Sequence, residues 1–250
     1  MTLLAAALAL LIGVTLGLLG GGGSILTVPV FVYVLGLESK RAIAMSLPVV
    51  GLAALVGVAR HWRLGNVDAR TALQFGLAAM AGAYGGARLA QFLAGPVQLG
   101  LFALVMLAAA VSMLRDARLP EGDDPGRTPS WGRLLPIGVG VGAVTGLVGA
   151  GGGFLIVPAL VLLGRVPMRR AIGTSLLVIS MNTAAGFAGY RGAVDVDWGI
   201  VASFAAVAGV GIVAGSALVS RVPTRQLKRA FALFLLVIGT SILWQILSLL

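Results

Sequence analysis

The sequence contains no cysteine and only one histidine, His61. The missing thiol excludes disulfides, thiolate metal sites, iron–sulfur clusters and a cysteine nucleophile. A zinc site needs several ligands of the histidine type, and a serine hydrolase needs a base beside its nucleophile inside the membrane. We therefore expect no bound metal, no other cofactor, no catalytic residue and no enzymatic activity.

Charge is also scarce. Only 10% of the 250 residues are charged, 59% are hydrophobic and the mean hydropathy is +1.05. A soluble globular domain carries about a quarter charged residues, so the composition predicts a polytopic protein of the lipid bilayer. The net charge of +10 is attributed to loop residues that fix topology, and nucleic acid is not an expected partner.

Ten apolar runs, separated by charges or by Gly and Pro breaks, predict an all-α membrane protein. A spanning helix needs about 20 residues at 1.5 Å each, whereas the second and seventh runs reach only about 18 Å. These two are predicted to be half-helices. The runs lie at 3–19, 24–36, 42–59, 71–94, 97–114, 134–149, 153–164, 171–189, 198–219 and 230–250.

The two halves of the chain repeat each other. A shift of 129 residues aligns 17–47 with 146–176 at fourteen identical positions, among them Pro29 with Pro158 and Ser46 with Ser175. Ordered matches of Gly, Pro, Arg and Ser are not expected from chance similarity between apolar segments, so the chain is read as a duplication. The predicted units are an N-terminal transmembrane repeat (1–114), a polar cytoplasmic linker (115–133) and a C-terminal transmembrane repeat (134–250).

The distribution of basic residues predicts the orientation. Fourteen of the 18 Lys and Arg residues fall in loops on one side, which the positive-inside rule assigns to the cytoplasm. Both termini are then outside. Five runs per half is an odd number, so the two repeats are predicted to be inverted relative to each other.

Each repeat contains a Gly-rich interruption where a membrane helix would otherwise continue. These segments, 20–24 and 149–153, predict broken or re-entrant helices that begin at Ser24 and Gly153. Paired broken helices in inverted repeats meet near the midplane and aim their amide ends at an anion. The alternative is that the glycines only allow close helix packing. The backbone residues predicted to bind substrate are Gly22, Gly23, Ser24, Gly151, Gly152 and Gly153, with Pro29 and Pro158 in gating or structural roles.

A few other polar residues lie inside the apolar runs. Ser46, Thr174 and Ser175 are candidate hydroxyl donors to the substrate, although a membrane Ser or Thr commonly bonds its own helix carbonyl. Asn182 is a candidate additional donor without a polar repeat mate. Arg88 is assigned either to gating or attracting an anion, or to snorkelling toward the interface.

The motif Gly-Leu-Leu-Gly-Gly-Gly-Gly-Ser-Ile-Leu-Thr-Val-Pro (17–29), the motif Arg-Ala-Ile-Ala-Met-Ser-Leu-Pro (41–48) and their partners at 146–158 and 170–176 resemble the TauE/SafE family over nearly the whole chain. This resemblance implies a bacterial or archaeal inner-membrane permease, often described as an exporter. Its implied substrate is a small anion such as sulfite, an organosulfonate or a related sulfur oxyanion.

These observations predict a secondary transporter that moves a small anion by alternating access. An anion channel, a membrane subunit without its own substrate and, least favoured, an intramembrane enzyme are the alternatives. The sequence leaves the coupling ion open between a proton and another ion, and it is compatible with a homo-oligomer.

Overall fold

The computed structural model describes residues 3–90, 92, 95–116, 131–148, 153–189 and 195–247. Each of the ten predicted apolar runs contains one α-helix, and the described part of the chain has no strand. The helices are α1 (Leu3–Leu19), α2 (Ser24–Tyr33), α3 (Ser39–Arg63), α4 (Ala69–Ala90), α5 (Gly95–Asp116), α6 (Trp131–Val148), α7 (Gly153–Pro158), α8 (Met168–Gly189), α9 (Trp198–Arg221) and α10 (Thr224–Leu247).

Many large apolar side chains are exposed on the outside of the protein, as expected of a surface that contacts lipid. Leu104 and Val210, for example, are 63% and 65% exposed. Among the described residues, four helical stretches are long and apolar enough to cross a bilayer: Leu3–Tyr33, Arg41–Arg63, Trp198–Arg221 and Thr224–Trp244. The prediction of an all-helical membrane protein is confirmed.

The first of these stretches is not one straight helix. Leu19 ends α1, and Gly20 follows with φ +72, the left-handed conformation that commonly terminates helices. A 3-10 turn, Gly20–Gly23, then leads into α2. A β-carbon at Gly23 would lie 2.6 Å from the carbonyl oxygen of Ile12, whereas a straight helix would separate these residues by about 16 Å. The chain therefore folds back beside α1 at the Gly-rich segment.

The two predicted half-helices are short. α2 has 10 residues and α7 has 6, and α7 continues as a π-helix over Ala159–Leu163. They begin at Ser24 and Gly153, the residues expected from the sequence. Residues 149–152, which include Gly151 and Gly152, lie outside the described part of the chain.

Helix pairs pack in a pattern that matches the duplication. α1 packs on α9 and α4 packs on α6, and these two pairs are repeat mates; α3 packs on α8 and α5 on α10. In the first two pairs the backbones approach closely through Gly-x-x-x-Gly sequences. Gly13 abuts the Ala208 carbonyl, and its repeat mate Gly142 abuts the Ala79 carbonyl.

Contacts along α3 and α8 show how these two helices run. A β-carbon at Gly51 would lie 2.8 Å from Thr183 Oγ1, and one at Gly57 would lie 2.8 Å from Leu176 Cδ1. Residue numbers therefore rise along α3 as they fall along α8. The two helices are antiparallel.

Candidate functional site

The first Gly-rich segment lies against Gly153, the described residue of the second. A β-carbon at Gly21 would overlap the backbone of Gly153, the first residue of α7. One at Gly153 would lie 2.8 Å from Ser24 Oγ, and one at Gly20 would lie 2.6 Å from Ser175 Oγ. We call Gly20, Gly21, Ser24, Gly153 and Ser175 the central cluster. Only glycine allows this approach, since the obstacle at Gly21 is another backbone.

The 3-10 turn before α2 adds a helical turn ahead of Ser24. The Ser24 amide donates to the Gly21 carbonyl, so the amide end of this helical unit lies within the 3-10 turn and not at Ser24 itself. Gly22 packs on the ring of Phe234 in α10, and Gly23 packs on α1. The predicted residues Gly22 and Gly23 therefore occupy the amide end of the broken helix.

The hydroxyl groups of the site are bonded within their own segments. Ser24 Oγ donates to the Gly21 carbonyl at 2.7 Å, and Ser175 Oγ donates to the Ile172 carbonyl at 2.8 Å. Ser46, the repeat mate of Ser175, donates to the Ile43 carbonyl at 2.7 Å. Each would have to rotate to donate to a bound anion, while its lone pairs remain available as acceptors.

Thr174 faces away from the central cluster. It is fully buried, and its Oγ1 accepts a hydrogen bond from the Asp68 amide at 3.1 Å. Asp68 in turn accepts from Thr71 at the start of α4. The structure thus groups Thr174 with the α3–α4 loop and separates it from its neighbour Ser175.

Asn182 lies on the face of α8 that contacts the Gly-rich segments. Ser175, Ile179 and Asn182 are spaced at helical intervals, and a β-carbon at Gly153 would lie 3.2 Å from Ile179. Asn182 is half-buried, and its Oδ1 is a buried acceptor without a hydrogen-bond partner. Ser175 and Asn182 are thus polar groups on this face of α8, on either side of Ile179, which contacts α7.

Arg88 lies on the exposed surface of α4. Its Nη2 donates to the Tyr84 hydroxyl at 2.9 Å, and its guanidinium sits 5.3 Å from the centre of the same ring. Both contacts are within its own helix. In the described part of the chain no contact joins Arg88 to the central cluster, and the choice between gating and snorkelling stays a prediction.

Thr27 is a buried polar residue that the sequence analysis did not single out. It lies one turn into α2, is fully buried, and its Oγ1 has no hydrogen-bond partner. A buried hydroxyl of this kind is costly, and its usual explanation is a function or a missing partner. In the sequence, Thr27 is distinguished only by its repeat mate Ile156, which is apolar where Thr27 is polar.

A cavity of about 640 Å³ lies beside α7, bounded by α5, α6 and the π-helix. It is lined almost entirely by apolar side chains, with Ser112 and the predicted structural residue Pro158 among them. The described polar residues of the central cluster do not line it. In the described part of the chain no group of His, Asp or Glu side chains could hold a metal ion.

Comparison with known proteins places this architecture in a family. Residues 5–242 match the family model described as "Sulfite exporter TauE/SafE". The chain is 33% identical to a "Probable membrane transporter protein" of Xylella fastidiosa (strain 9a5c), over 94% of this chain and 92% of the relative. It is 26% identical to one of Methanocaldococcus jannaschii, over 73% and 71% of the two chains. A Bacillus subtilis relative with the same description is 25% identical, over 94% of this chain and 97% of the relative.

No solved structure matches the chain significantly. The family model covers nearly the whole sequence, and the relatives share both its length and the description of membrane transporter. The chain therefore belongs to the TauE/SafE family of membrane transporters.

Proposed function

We propose that this protein is a secondary transporter that exports a small anion, sulfite or an organosulfonate or related sulfur oxyanion, across a bacterial or archaeal inner membrane. The observation that carries the proposal is the meeting of the two Gly-rich segments at Gly21 and Gly153. Sulfur chemistry and export rest on the description of the matched family. The transport cycle is alternating access.

The proposal includes two inverted repeats joined by the linker 115–133. The antiparallel packing of α3 on its repeat mate α8 supports inversion, because repeats related by an axis along the membrane normal would make these helices parallel. The matched pairs α1–α9 and α4–α6 support the same arrangement. Outward-facing termini follow from the fourteen basic loop residues on the proposed cytoplasmic side.

The anion would bind at the amide end of the α2 unit, where Gly22 and Gly23 lie. Ser24 and Ser175 would supply hydroxyl donors after rotating away from their own carbonyls, and Thr27 would supply a hydroxyl that is already unpartnered. Neutral donors suit a membrane interior because they bind an anion without the desolvation cost of a buried cation. Gly151 and Gly152 belong to the same proposed site through the repeat.

The test is flux in proteoliposomes that contain the purified protein. Saturable uptake of labelled sulfite, stimulated by sulfite or a sulfonate inside the vesicles, is the expected result for a carrier. The double variant Ser24→Ala/Ser175→Ala should lose about tenfold or more in flux at low anion concentration, since two donors worth about 0.5–1.5 kcal/mol each are removed.

Ser203→Ala is the matched control. Ser203 is exposed and donates to the Ile200 carbonyl three residues back, so its bond resembles that of Ser175 without the contact to Gly20. Its flux should equal that of the unchanged protein. Flux that does not saturate and is not stimulated from inside would identify a channel, and no anion flux at all would favour a subunit without its own substrate.

A further inference from the structure

The only histidine of the sequence is buried next to the broken helix. His61 lies in α3, is fully buried, and its Nε2 is 3.2 Å from the Gly17 carbonyl oxygen. Its other ring nitrogen, Nδ1, is buried and has no hydrogen-bond partner among the described residues. The imidazole therefore lies inside the protein, although the next residues, Trp62 and Arg63, are exposed.

His61 connects three elements of the site. Gly17 belongs to the last turn of α1, where carbonyls lack partners within the helix, and it lies about 5 Å along the axis from Gly20. On α8, a β-carbon at Gly173 would lie 3.1 Å from His61 Cβ, and Ser175 two residues later faces Gly20. The imidazole thus contacts the helices that hold the central cluster.

The protonation state of His61 follows from its partner. A carbonyl only accepts, so Nε2 carries a hydrogen and donates it to Gly17; in the neutral ring Nδ1 is then a vacant acceptor. A second proton has one place to bind, at Nδ1. The resulting imidazolium would lie beside the carbonyl end of α1, which is the negative end of the helix dipole.

The surrounding elements offer few other titrating groups. α1 contains no charged residue between Leu3 and Leu19. On α3 the neighbours in sequence are Arg60 and Arg63, and the α3–α4 loop contributes Asp68, which is bonded to Thr71 and Thr174. The other charged residues of the helices that pack around α1, α3 and α8 are all basic: Arg70 and Arg88 on α4, Arg169 and Arg170 on α8, Arg221 on α9, and Arg225, Lys228 and Arg229 on α10. Among all these groups only histidine changes charge between pH 5 and 8 without a large perturbation.

We propose that His61 is the proton-binding residue that couples proton movement to anion movement. This inference rests on the proposed function. Nδ1 accepts a proton from the aqueous side to which the site is open while the anion occupies the central cluster. The imidazolium and the anion stabilise each other, and both leave on the opposite side. One proton moves with each anion in the same direction, so export by this route is driven by the outward concentration gradient of the anion. For a monovalent anion the step carries no net charge.

The decisive measurement uses the fact that the chain has one histidine. In protein purified with a histidine-free affinity tag and labelled with ¹⁵N-histidine, the imidazole nitrogen signals report the protonation of His61 alone. Saturating thiosulfate or sulfite should raise the midpoint of this titration by about one pH unit, equivalent to about tenfold tighter anion binding by the protonated form. An unchanged midpoint in the presence of an anion that binds would overturn the inference and leave the proposed function intact. No binding of any sulfur oxyanion or sulfonate would overturn both.

Transport supplies a second readout. Thiosulfate is a dianion across this pH range, so one proton per anion leaves one negative charge to be balanced. In proteoliposomes whose membrane potential is clamped with potassium and valinomycin, a pH gradient should drive thiosulfate inward together with protons detected by an internal pH dye. His61→Gln keeps a neutral donor for the Gly17 carbonyl and cannot take up the second proton. At saturating thiosulfate it should retain exchange, with a half-saturation concentration up to about tenfold higher at acidic pH, and it should lose gradient-driven accumulation. Arg63→Gln, an exposed neighbour, should retain both. Proton movement that survives in His61→Gln contradicts the assignment.

Discussion

The two Gly-rich segments share a sequence pattern, and the helices that follow them differ in structure. After Gly20–Gly23 the chain forms α2, which stays α-helical through Pro29 to Tyr33. The corresponding α7 is α-helical only to Pro158 and continues as the π-helix Ala159–Leu163. The same Gly and Pro positions therefore permit two different helical geometries.

Side chains explain part of this difference. A β-carbon at Gly22 would lie 3.2 Å from the ring of Phe234, whereas the repeat mate of Phe234 is Val105, which lines the cavity beside α7. Thr27 likewise has the apolar mate Ile156. The Gly and Pro positions are thus the same before and within α2 and α7, while the side chains that pack around these two helices differ. π-helical turns occur often at functional sites, which makes the α7 side a region of interest for conformational change.

The largest expected effect comes from adding a methyl group where Gly21 contacts Gly153. Gly21→Ala would place a methyl group inside the backbone of Gly153, and neither backbone can move aside cheaply. We expect at least tenfold lower flux and a loss of stability of about 1–3 kcal/mol, measured as a lower melting temperature in detergent.

Two variants calibrate this result. Gly153→Ala meets the Ser24 hydroxyl at 2.8 Å, and this side chain can rotate, so its effect should be smaller than that of Gly21→Ala. Gly85→Ala has open space around the new methyl group and should change neither flux nor melting temperature. If Gly21→Ala behaves like Gly85→Ala, the two segments do not meet as described.

An intermediate effect on stability is expected at the two equivalent helix interfaces, α1 with α9 and α4 with α6. Gly13→Ala and Gly142→Ala change repeat mates that abut the carbonyls of Ala208 and Ala79, themselves repeat mates. Because both contacts are of the same kind, the two variants should lower the melting temperature to a similar extent, corresponding to about 1–3 kcal/mol. Gly140→Ala, in α6 with nothing close to the added methyl group, is the control. Loss in one half only would show that the two interfaces are not equivalent.

The smallest expected effect on stability comes from replacing Thr27 of α2 with an apolar residue, since its repeat mate in α7, Ile156, is apolar. Thr27→Val removes the unpartnered buried hydroxyl of α2. The melting temperature should stay the same or rise, since the hydroxyl no longer has to be desolvated. If Thr27 contributes to anion binding, the concentration for half-maximal flux should rise about threefold to tenfold while the maximal rate changes less. Unchanged anion affinity would assign Thr27 to packing alone.

Much of the architecture could be read from the sequence. Hydropathy located ten helical segments because a bilayer helix has to satisfy its backbone internally and expose apolar side chains. Shortness identified α2 and α7 as incomplete helices. Repetition of Gly, Pro and Ser positions indicated a duplication, and the starts at Ser24 and Gly153 followed from where the glycines end.

Other features were decided only by tertiary structure. Adjacent residues such as Thr174 and Ser175 point to different neighbours, because successive positions on a helix lie on different faces. Thr27 and His61 gained their significance from burial and from an unpartnered atom, properties that depend on what the rest of the chain packs around them. The sequence alone determined that this is a helical membrane protein with a repeated Gly-rich break. Three-dimensional packing decided that the first Gly-rich segment faces Gly153 and Ser175 and that His61 lies beside the end of α1. Contacts between residues more than 40 positions apart are set by how the helices assemble.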